Sequence, residues 1–433
     1  MLERLFKIKE SGSTPGTEIR AGVVTFLTMS YILLVNPQIL SRAGMPADDV
    51  TMATALAAAL ACLVMGLYAN YPFALAPGMG LNAYFTFGVV LGMGVSYQMA
   101  LAAVFIEGLL FLLLTVAGIR KAVINAIPAT LKTATMSGIG LFLAIVGLKD
   151  GGIIEAHPDT LVTLGDVQSP TVLLALLGLV LMSALLARKI PGALLIGMLV
   201  VTALAWLTGM TALPSGIVSL PALPRETFVA FDFSVLLSGK LLTVVLAFLF
   251  IDFFDTAGTL IGVGRLGGFL NEHDELPRAD RAFAADALGT TVGALLGTST
   301  VTTYMESATG IEEGGRTGLT AVVVAGLFVL ALFFTPMFTS IPAAATAPAL
   351  IVVGALMMHG IRDLAWDRFD EALPAFLTIT AMPFTYSIAN GIALGIVSYT
   401  LLKLLTGKAR DVHAVMYVLA ALLTLYYGFL NGS

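Results

Sequence analysis

Charge is scarce in this chain. Of 433 residues only 11% are charged, against 58% hydrophobic. A soluble protein needs far more charge to cover its surface. Cysteine is all but missing: Cys62 has no second cysteine with which to form an intrachain disulfide, and cysteine-based metal or redox chemistry is excluded. It lies in an apolar run and reads as a small packed hydrophobe. Histidine is sparse too. His157, His273, His359 and His413 are scattered in loops or near segment ends, without the paired spacing of a metal site. Strand-like alternation is absent, which argues against a membrane barrel. The first twenty residues, MLERLFKIKESGSTPGTEIR, are polar and basic and do not read as a cleavable signal peptide. No cofactor and no nucleic-acid partner is expected.

What the chain has instead is apolar runs of about 20 residues along its whole length, the mark of an all-α polytopic membrane protein in contact with lipid. Spans are expected near 21–40, 52–70, 97–119, 124–148, 170–187, 191–208, 236–262, 282–297, 318–335, 343–360, 371–386 and 388–405. Pro37 marks the end of the first span, and Pro383 the split between the last two. The basic pairs Arg120–Lys121 and Arg188–Lys189 put their loops in the cytoplasm, and residues 1–20 form a cytosolic arm. Trp206 and Trp366 near span ends read as interface anchors. The apolar segment 413–430 crosses the membrane or lies along it.

Two further segments are apolar but broken. FALAPGMGLNAYFTFGVV, residues 73–90, carries Pro77, Gly78 and Gly80, and GTSTVTTYMESATGIEEGGRTG, residues 297–318, opens on a β-branched run. Non-helical backbone at membrane depth is tolerated where it is buried in protein or lines a cavity. Each is expected to be an extended piece leading into a half-helix.

The two halves of the chain also match. IPATLKTATMSGIGLFLAIVGLKD from Ile127 pairs with IPAAATAPALIVVGALMMHGIRD from Ile341, and FLTMSY from Phe26 with FLFIDF from Phe248. With the broken segments counted, each half holds seven spans, an odd number, so the second half enters the membrane from the opposite side. Inverted repeats of this kind build secondary transporters, whose site lies near the midplane at the discontinuous helices.

The acids fall at that place. AFLFIDFFDTAGTLIG, residues 247–262, carries Asp252 and Asp255 three apart, on one helix face. An acid at the middle of a spanning helix costs about 2.5–3.5 kcal/mol, so this face meets a protein or water-filled interior. Glu306 and Ser307 stand in the second broken segment and Asn82 in the first. A carboxylate there can accept N–H donors from a neutral heterocycle or carry a coupled proton, since burial disfavours its charged form. Asn82 could instead cap its half-helix. Ser307 and Thr28 are weighed evenly between contact and structure. Glu107 and Asp286, lone acids on apolar helices, read as packing or interhelical residues, and Glu312, Glu313 and Arg316 as a structural group at the cytosolic edge. GVGRLGG, from Gly262, follows a helix and does not make a nucleotide loop.

At GTEIRAGVVTFLTMSYILLVNPQIL, APGMGLNAYFTF, FDTAGTLIGV, ESATGIEEGGRTGLTA and EALPAFLTITAMPFTYSIANGIALG the chain resembles the AzgA-like purine permeases of the nucleobase–ascorbate transporter superfamily. The resemblance covers about residues 14–430. It implies fourteen core segments in two inverted seven-span repeats, often assembled as a homodimer. The core domain would comprise 21–119 and 236–336, the gate domain 120–208 and 337–406, with an external connector at 209–235 and a hydrophobic segment at 407–433. The implied activity is proton-coupled uptake of adenine, guanine or hypoxanthine across the inner (plasma) membrane. Binding residues would fall on Asn82, Asp252, Asp255 and Glu306. Purine contacts are then expected from Asn82, Asp252, Glu306, Ser307 and Thr28, with Phe250 or Phe253 against the ring, and proton coupling from Asp252, Asp255 and Glu306. The rivals are an anion carrier of the same fold, resembling the sulfate permeases, a sodium-coupled nucleobase carrier, and a membrane-embedded enzyme. Three acids at the site count against the first. The last would need a His cluster, a Ser–Lys or Ser–His pair or a carboxylate–metal motif at helical spacing, and none is found.

Overall fold

The computed structural model describes residues 2–118, 128–214, 216–221, 223–234, 239–272, 275–425 and 427. Helices dominate, because a long apolar run can pair its backbone groups without water only as a helix. In chain order they are α1 Leu2–Phe6, α2 Pro15–Met29, α3 Ile32–Ser41, α4 Ala47–Val64, α5 Met79–Ala83, α6 Tyr97–Val116, α7 Ala129–Asp150, α8 Pro170–Ala187, α9 Ala193–Leu207 and α10 Gly239–Leu266. Then follow α11 Ala279–Leu296, α12 Ser307–Glu312, α13 Gly318–Ala331, α14 Thr335–Phe338, α15 Ala343–Met357, α16 Phe369–Phe384, α17 Ile388–Leu405 and α18 Ala414–Leu425. Nine helical stretches among the described residues are long and apolar enough to cross a bilayer. The chain is an all-α polytopic membrane protein.

Among the described residues strand is confined to two short pairs. Where the sequence breaks at Pro77 and after Gly297, β1 (Leu75–Pro77) and β4 (Val301–Thr303) run antiparallel, with Leu75 opposite Thr303 and Pro77 opposite Val301. Each leads toward a half-helix, α5 on one side and α12 on the other. A second pair, β2 (Ile154–His157) and β3 (Leu161–Leu164), forms a hairpin in the acid-bearing loop after α7. Two strands alone leave their outer edges open, and at membrane depth those edges need partners. Helix side chains supply them on both sides. Cys62 of α4 donates to Leu75 O at 3.2 Å and accepts from Leu75 N at 3.1 Å. Thr290 of α11 donates to Val301 O at 2.9 Å and accepts from Val301 N at 3.1 Å. The same clasp thus closes each strand from the helix before it.

The described residues group into two compact units, Met1–Gly118 with Lys149–Ala349, and Ile119–Leu148 with Leu350–Ser433. In the first, the turn after α4 and the start of α13 approach closely. A Cβ on Gly66 would lie 2.5 Å from the carbonyl oxygen of Gly318, so only small residues allow this packing. In the second, Ala134, Leu364, Ala375 and Ile379 form a core. Its polar centre is Lys403, which donates to Asp370 at 2.7 Å and Glu371 at 2.6 Å. Lys408 adds a 2.8 Å bond to Asp370, and Thr130 donates to Glu371 at 2.6 Å.

Several expectations change. Residues 1–20 are not a free arm: Phe6 and Ile8 bury against Leu319, and α2 already starts at Pro15. Glu18 is buried and accepts from the backbone N–H groups of Arg316 and Thr317 and from the hydroxyl of Thr320. The first span is split between α2 and α3 at Ser30–Tyr31, and Pro37 lies inside α3, where the Ser41 hydroxyl bonds its carbonyl. Pro383 likewise lies inside α16, and the chain turns at residues 385–387 instead. Arg120, Lys121, His273 and the end of the 413–430 segment lie outside the described residues.

Candidate functional site

The site is built where β1 and β4 meet α10. Along α10, Asp252, Asp255, Thr256 and Thr259 recur at helical spacing, so their side chains line one face. This face looks onto the broken segments. Asp255 lies by the first broken segment and interacts electrostatically with Thr302 of β4: a Cβ on Gly78 would lie 3.7 Å from Asp255 Oδ2. Gly78 is needed there, since the same Cβ would lie 2.6 Å from Thr302 Cγ2. The strand ladder extends past its ends. Gly78 N donates to Thr300 O, and Tyr304 N to Ala74 O, each at 2.9 Å.

Glu306 stands just ahead of α12, and Tyr31, at the break between α2 and α3, donates to its Oε1 at 2.7 Å. Thr309 donates to the Glu306 carbonyl at 2.7 Å, and Thr28 pairs with Thr309 at 2.9 Å. Tyr304 donates to Pro77 O at 2.6 Å and feels the charge of both Glu306 and Asp255. Asp255 and Glu306 also interact electrostatically with each other, and both residues are partly exposed. The arrangement brings two acids to the junction of the broken segments, Asp255 on α10 and Glu306 just ahead of α12. Such a pair can accept two N–H donors from one planar ligand, or hold a proton between them.

The other expected residues fall elsewhere. Asp252 is fully enclosed, so the substrate contact expected of it is not open in this structure. Asn82 is enclosed as well. It accepts from the Ser299 hydroxyl and reaches Pro77 O with its amide at 3.5 Å, so it joins the two broken segments and does not cap α5. Ser307 accepts from Ala74 N at 2.9 Å, which likewise ties the segments together. Phe253 packs in a ring cluster with Phe111 of α6 and Phe283 of α11, at centroid distances of 5.0 and 6.0 Å. That leaves it filling space between helices. Phe250 lies partly exposed on α10.

Two acids read as bystanders from sequence belong to the group. Glu107 of α6 is fully buried and interacts electrostatically with Asp252 and Asp286, and Thr256 lies 3.3 Å from Asp252 and 3.0 Å from Asp286 of α11, within hydrogen-bond reach of both. Sequence reasoning also missed Tyr31, Thr256 and Thr302. The insertion cost that singled out Asp252 applied equally to Glu107 and Asp286. For Tyr31 the signal lay in the FLTMSY and FLFIDF match, which sets it opposite Phe253. By contrast Arg316 is structural, as expected: it donates to Ile311 O at 2.7 Å and Gly315 O at 2.8 Å.

Comparison with known proteins completes this picture. The pattern of the permease family matches residues 16–394. The guanine/hypoxanthine permease PbuG of Bacillus subtilis (strain 168) is 45% identical over 99% of this chain and 100% of its own. The adenine permease AdeP of Escherichia coli (strain K12) is 43% identical over 100% of this chain and 97% of its own. Among solved structures, the transmembrane domain of the cyanobacterium bicarbonate transporter BicA superposes with a TM-score of 0.67, covering 88% of this chain and 97% of that one. At 17% identity that likeness speaks for the fold alone. The chain is a transporter and not an enzyme, and it belongs to the permease family, with the resemblance to the AzgA-like members of that family upheld over its whole length.

Proposed function

We propose that this protein imports purine nucleobases across the inner (plasma) membrane by proton symport. The observation that carries the reading is that Asp255 and Glu306, two partly exposed acids at the broken segments, act on each other electrostatically, in a chain whose relatives are named guanine/hypoxanthine and adenine permeases. A purine is planar and neutral, with ring N–H donors along one edge. Glu306, oriented by Tyr31, accepts one of these and Asp255 a second. Phe250 faces the ring, and Thr28 holds the α12 end of the site through Thr309. Asp252 belongs to the proton path and acts on substrate through its neighbours.

The rest of the reading follows the same pattern. The two halves are inverted seven-span repeats, and the clasps at Cys62 and Thr290, at matching places in the two halves, support this. The core segments 21–119 and 236–336 move against the gate segments 120–208 and 337–406, and the N-terminus lies in the cytoplasm. The working unit is a homodimer.

The test is uptake of labelled hypoxanthine, guanine, adenine, uracil and sulfate by cells lacking their own purine carriers, with and without a protonophore. Purine-only uptake that collapses with protonophore supports the reading. Sulfate or uracil uptake keeps the fold and overturns the substrate. Purine uptake that ignores protonophore but requires sodium overturns the coupling ion.

A further inference from the structure

α12 has six residues, Ser307–Glu312, with Glu306 at its head. A helix this short is marginal on its own and takes its direction from what it packs against. Here that is α2. The two run antiparallel along one seam, so that positions rise along one as they fall along the other. Tyr31, just past α2, donates to Glu306 Oε1 at 2.7 Å, and Thr28 pairs with Thr309 at 2.9 Å. Further along, a Cβ on Gly310 would meet Thr25 Oγ1 and lie 2.8 Å from the Ala21 carbonyl oxygen, and one on Gly315 would lie 3.0 Å from Ala21 Cβ. Arg20 then forms an ion pair with Glu313 at 3.1 Å and donates to its carbonyl at 3.2 Å.

The seam ends at Glu18, in the first turn of α2 and 0% exposed. Its carboxylate accepts from Arg316 N at 2.9 Å, Thr317 N at 3.2 Å and the Thr320 hydroxyl at 2.6 Å. These bonds do more than cap α13. The first N–H groups of that helix are met without Glu18: Gly318 N donates to Asn70 Oδ1 at 2.8 Å, and Leu319 N to Thr317 Oγ1 at 3.3 Å. What Glu18 holds is the linker in front of α13. Arg316 of that linker reaches back with its guanidinium to Ile311 O at 2.7 Å, in the last turn of α12. The Glu18 carboxylate therefore fixes the backbone of the residue whose side chain closes α12. Helical rise places the two ends of the seam, Glu18 and Tyr31, about 20 Å apart.

We propose that Glu18 is a positioning residue for the purine site: with Tyr31 it clamps α12 against α2 from both ends and so sets where the Glu306 carboxyl stands. Glu18 does not touch the substrate. It acts through Arg316 and the length of α12, whereas Tyr31 acts on Glu306 directly. The role rests on the reading that Glu306 holds the purine.

The test is equilibrium binding of labelled hypoxanthine to purified full-length protein, each variant first shown to elute as a folded species with a sharp thermal transition. Glu18→Gln keeps the shape but sets a donor against donors, and is expected to weaken affinity about tenfold, the scale of one lost hydrogen bond to a charged group. Glu18→Asp keeps the acceptors and is expected to recover part of it. A role exercised through Glu306 makes the two losses overlap, so Glu18→Gln added to Glu306→Gln is expected to cost less than about twofold more. An effect on stability alone would leave the affinity of the folded protein unchanged, and an independent effect on the site would add in full; either result overturns the assignment of Glu18. Glu306→Gln binding as tightly as wild type overturns the reading of the site and this role with it. A weakened Glu306→Gln beside an unchanged Glu18→Gln removes the role of Glu18 and leaves the site standing. If Glu18→Gln does not fold, Thr320→Val decides, since it removes the 2.6 Å hydroxyl donor and keeps the carboxylate. Weaker binding that disappears in the Glu306→Gln background supports the clamp, and unchanged binding overturns it.

Discussion

The Tyr31 hydroxyl donates to Glu306 Oε1 at 2.7 Å, joining the break in the first span to the second broken segment 275 positions away. This bond fixes the direction of the Glu306 carboxyl. A hydrogen bond to a charged group contributes about 1.5–3 kcal/mol, so Tyr31→Phe is expected to raise the KM for purine roughly tenfold or more while leaving the fold intact. Uptake kinetics with labelled hypoxanthine check this. An unchanged KM would mean that Glu306 is oriented without Tyr31.

The strand edges give a stability prediction. Cys62 and Thr290 each both donate to and accept from one strand residue, Leu75 and Val301 respectively. Removing either leaves a buried N–H and C=O unpaired at membrane depth. Cys62→Ala and Thr290→Val are each expected to destabilise the protein by about 1–3 kcal/mol. Thermal unfolding in detergent reads this as a lowered Tm, and Cys62→Ser is expected to recover most of it. Equal Tm values for Cys62→Ala and wild type would count against the clasp.

At the entrance of α16, hydrogen bonds from Lys403 and Lys408 hold the Asp370 carboxyl well below the usual carboxylate range. A carboxyl with its folded pKa depressed stabilises the fold above its unfolded pKa of about 3.9, and this contribution disappears as pH falls through the folded value. Asp370→Asn is therefore expected to lower Tm at pH 7, with the gap to wild type closing only in strong acid. A gap that is constant with pH would assign Asp370 a packing role instead.

Much of the fold can be read from the chain itself. The breaks at Pro77–Gly80 and after Gly297 were visible because proline, glycine and a β-branched run interrupt otherwise apolar helices. The acids of α10 stood out by insertion cost and shared a face by spacing. What spacing cannot show is partnership between distant segments. Glu107 lies 145 positions before Asp252, and nothing local in its apolar helix announces that they meet. Prolines misled in the other direction. Pro37 and Pro383 sit inside helices, and membrane helices tolerate proline where the packed protein around them re-satisfies the freed backbone groups. Phe253 illustrates a third limit: an aromatic beside a functional acid on a helix points to another face, and here that face packs against Phe111 and Phe283.

The central claim is that a purine is held by the Asp255–Glu306 pair. The most direct measurement is equilibrium binding of labelled hypoxanthine to purified wild type and Glu306→Gln, each first shown to elute as a folded species with a sharp thermal transition. The wild type is expected to bind saturably and to be competed by guanine and adenine, and Glu306→Gln to lose at least about tenfold in affinity, the loss of a hydrogen bond to a charged group. A folded Glu306→Gln that binds hypoxanthine as tightly as the wild type would contradict the assignment of the site.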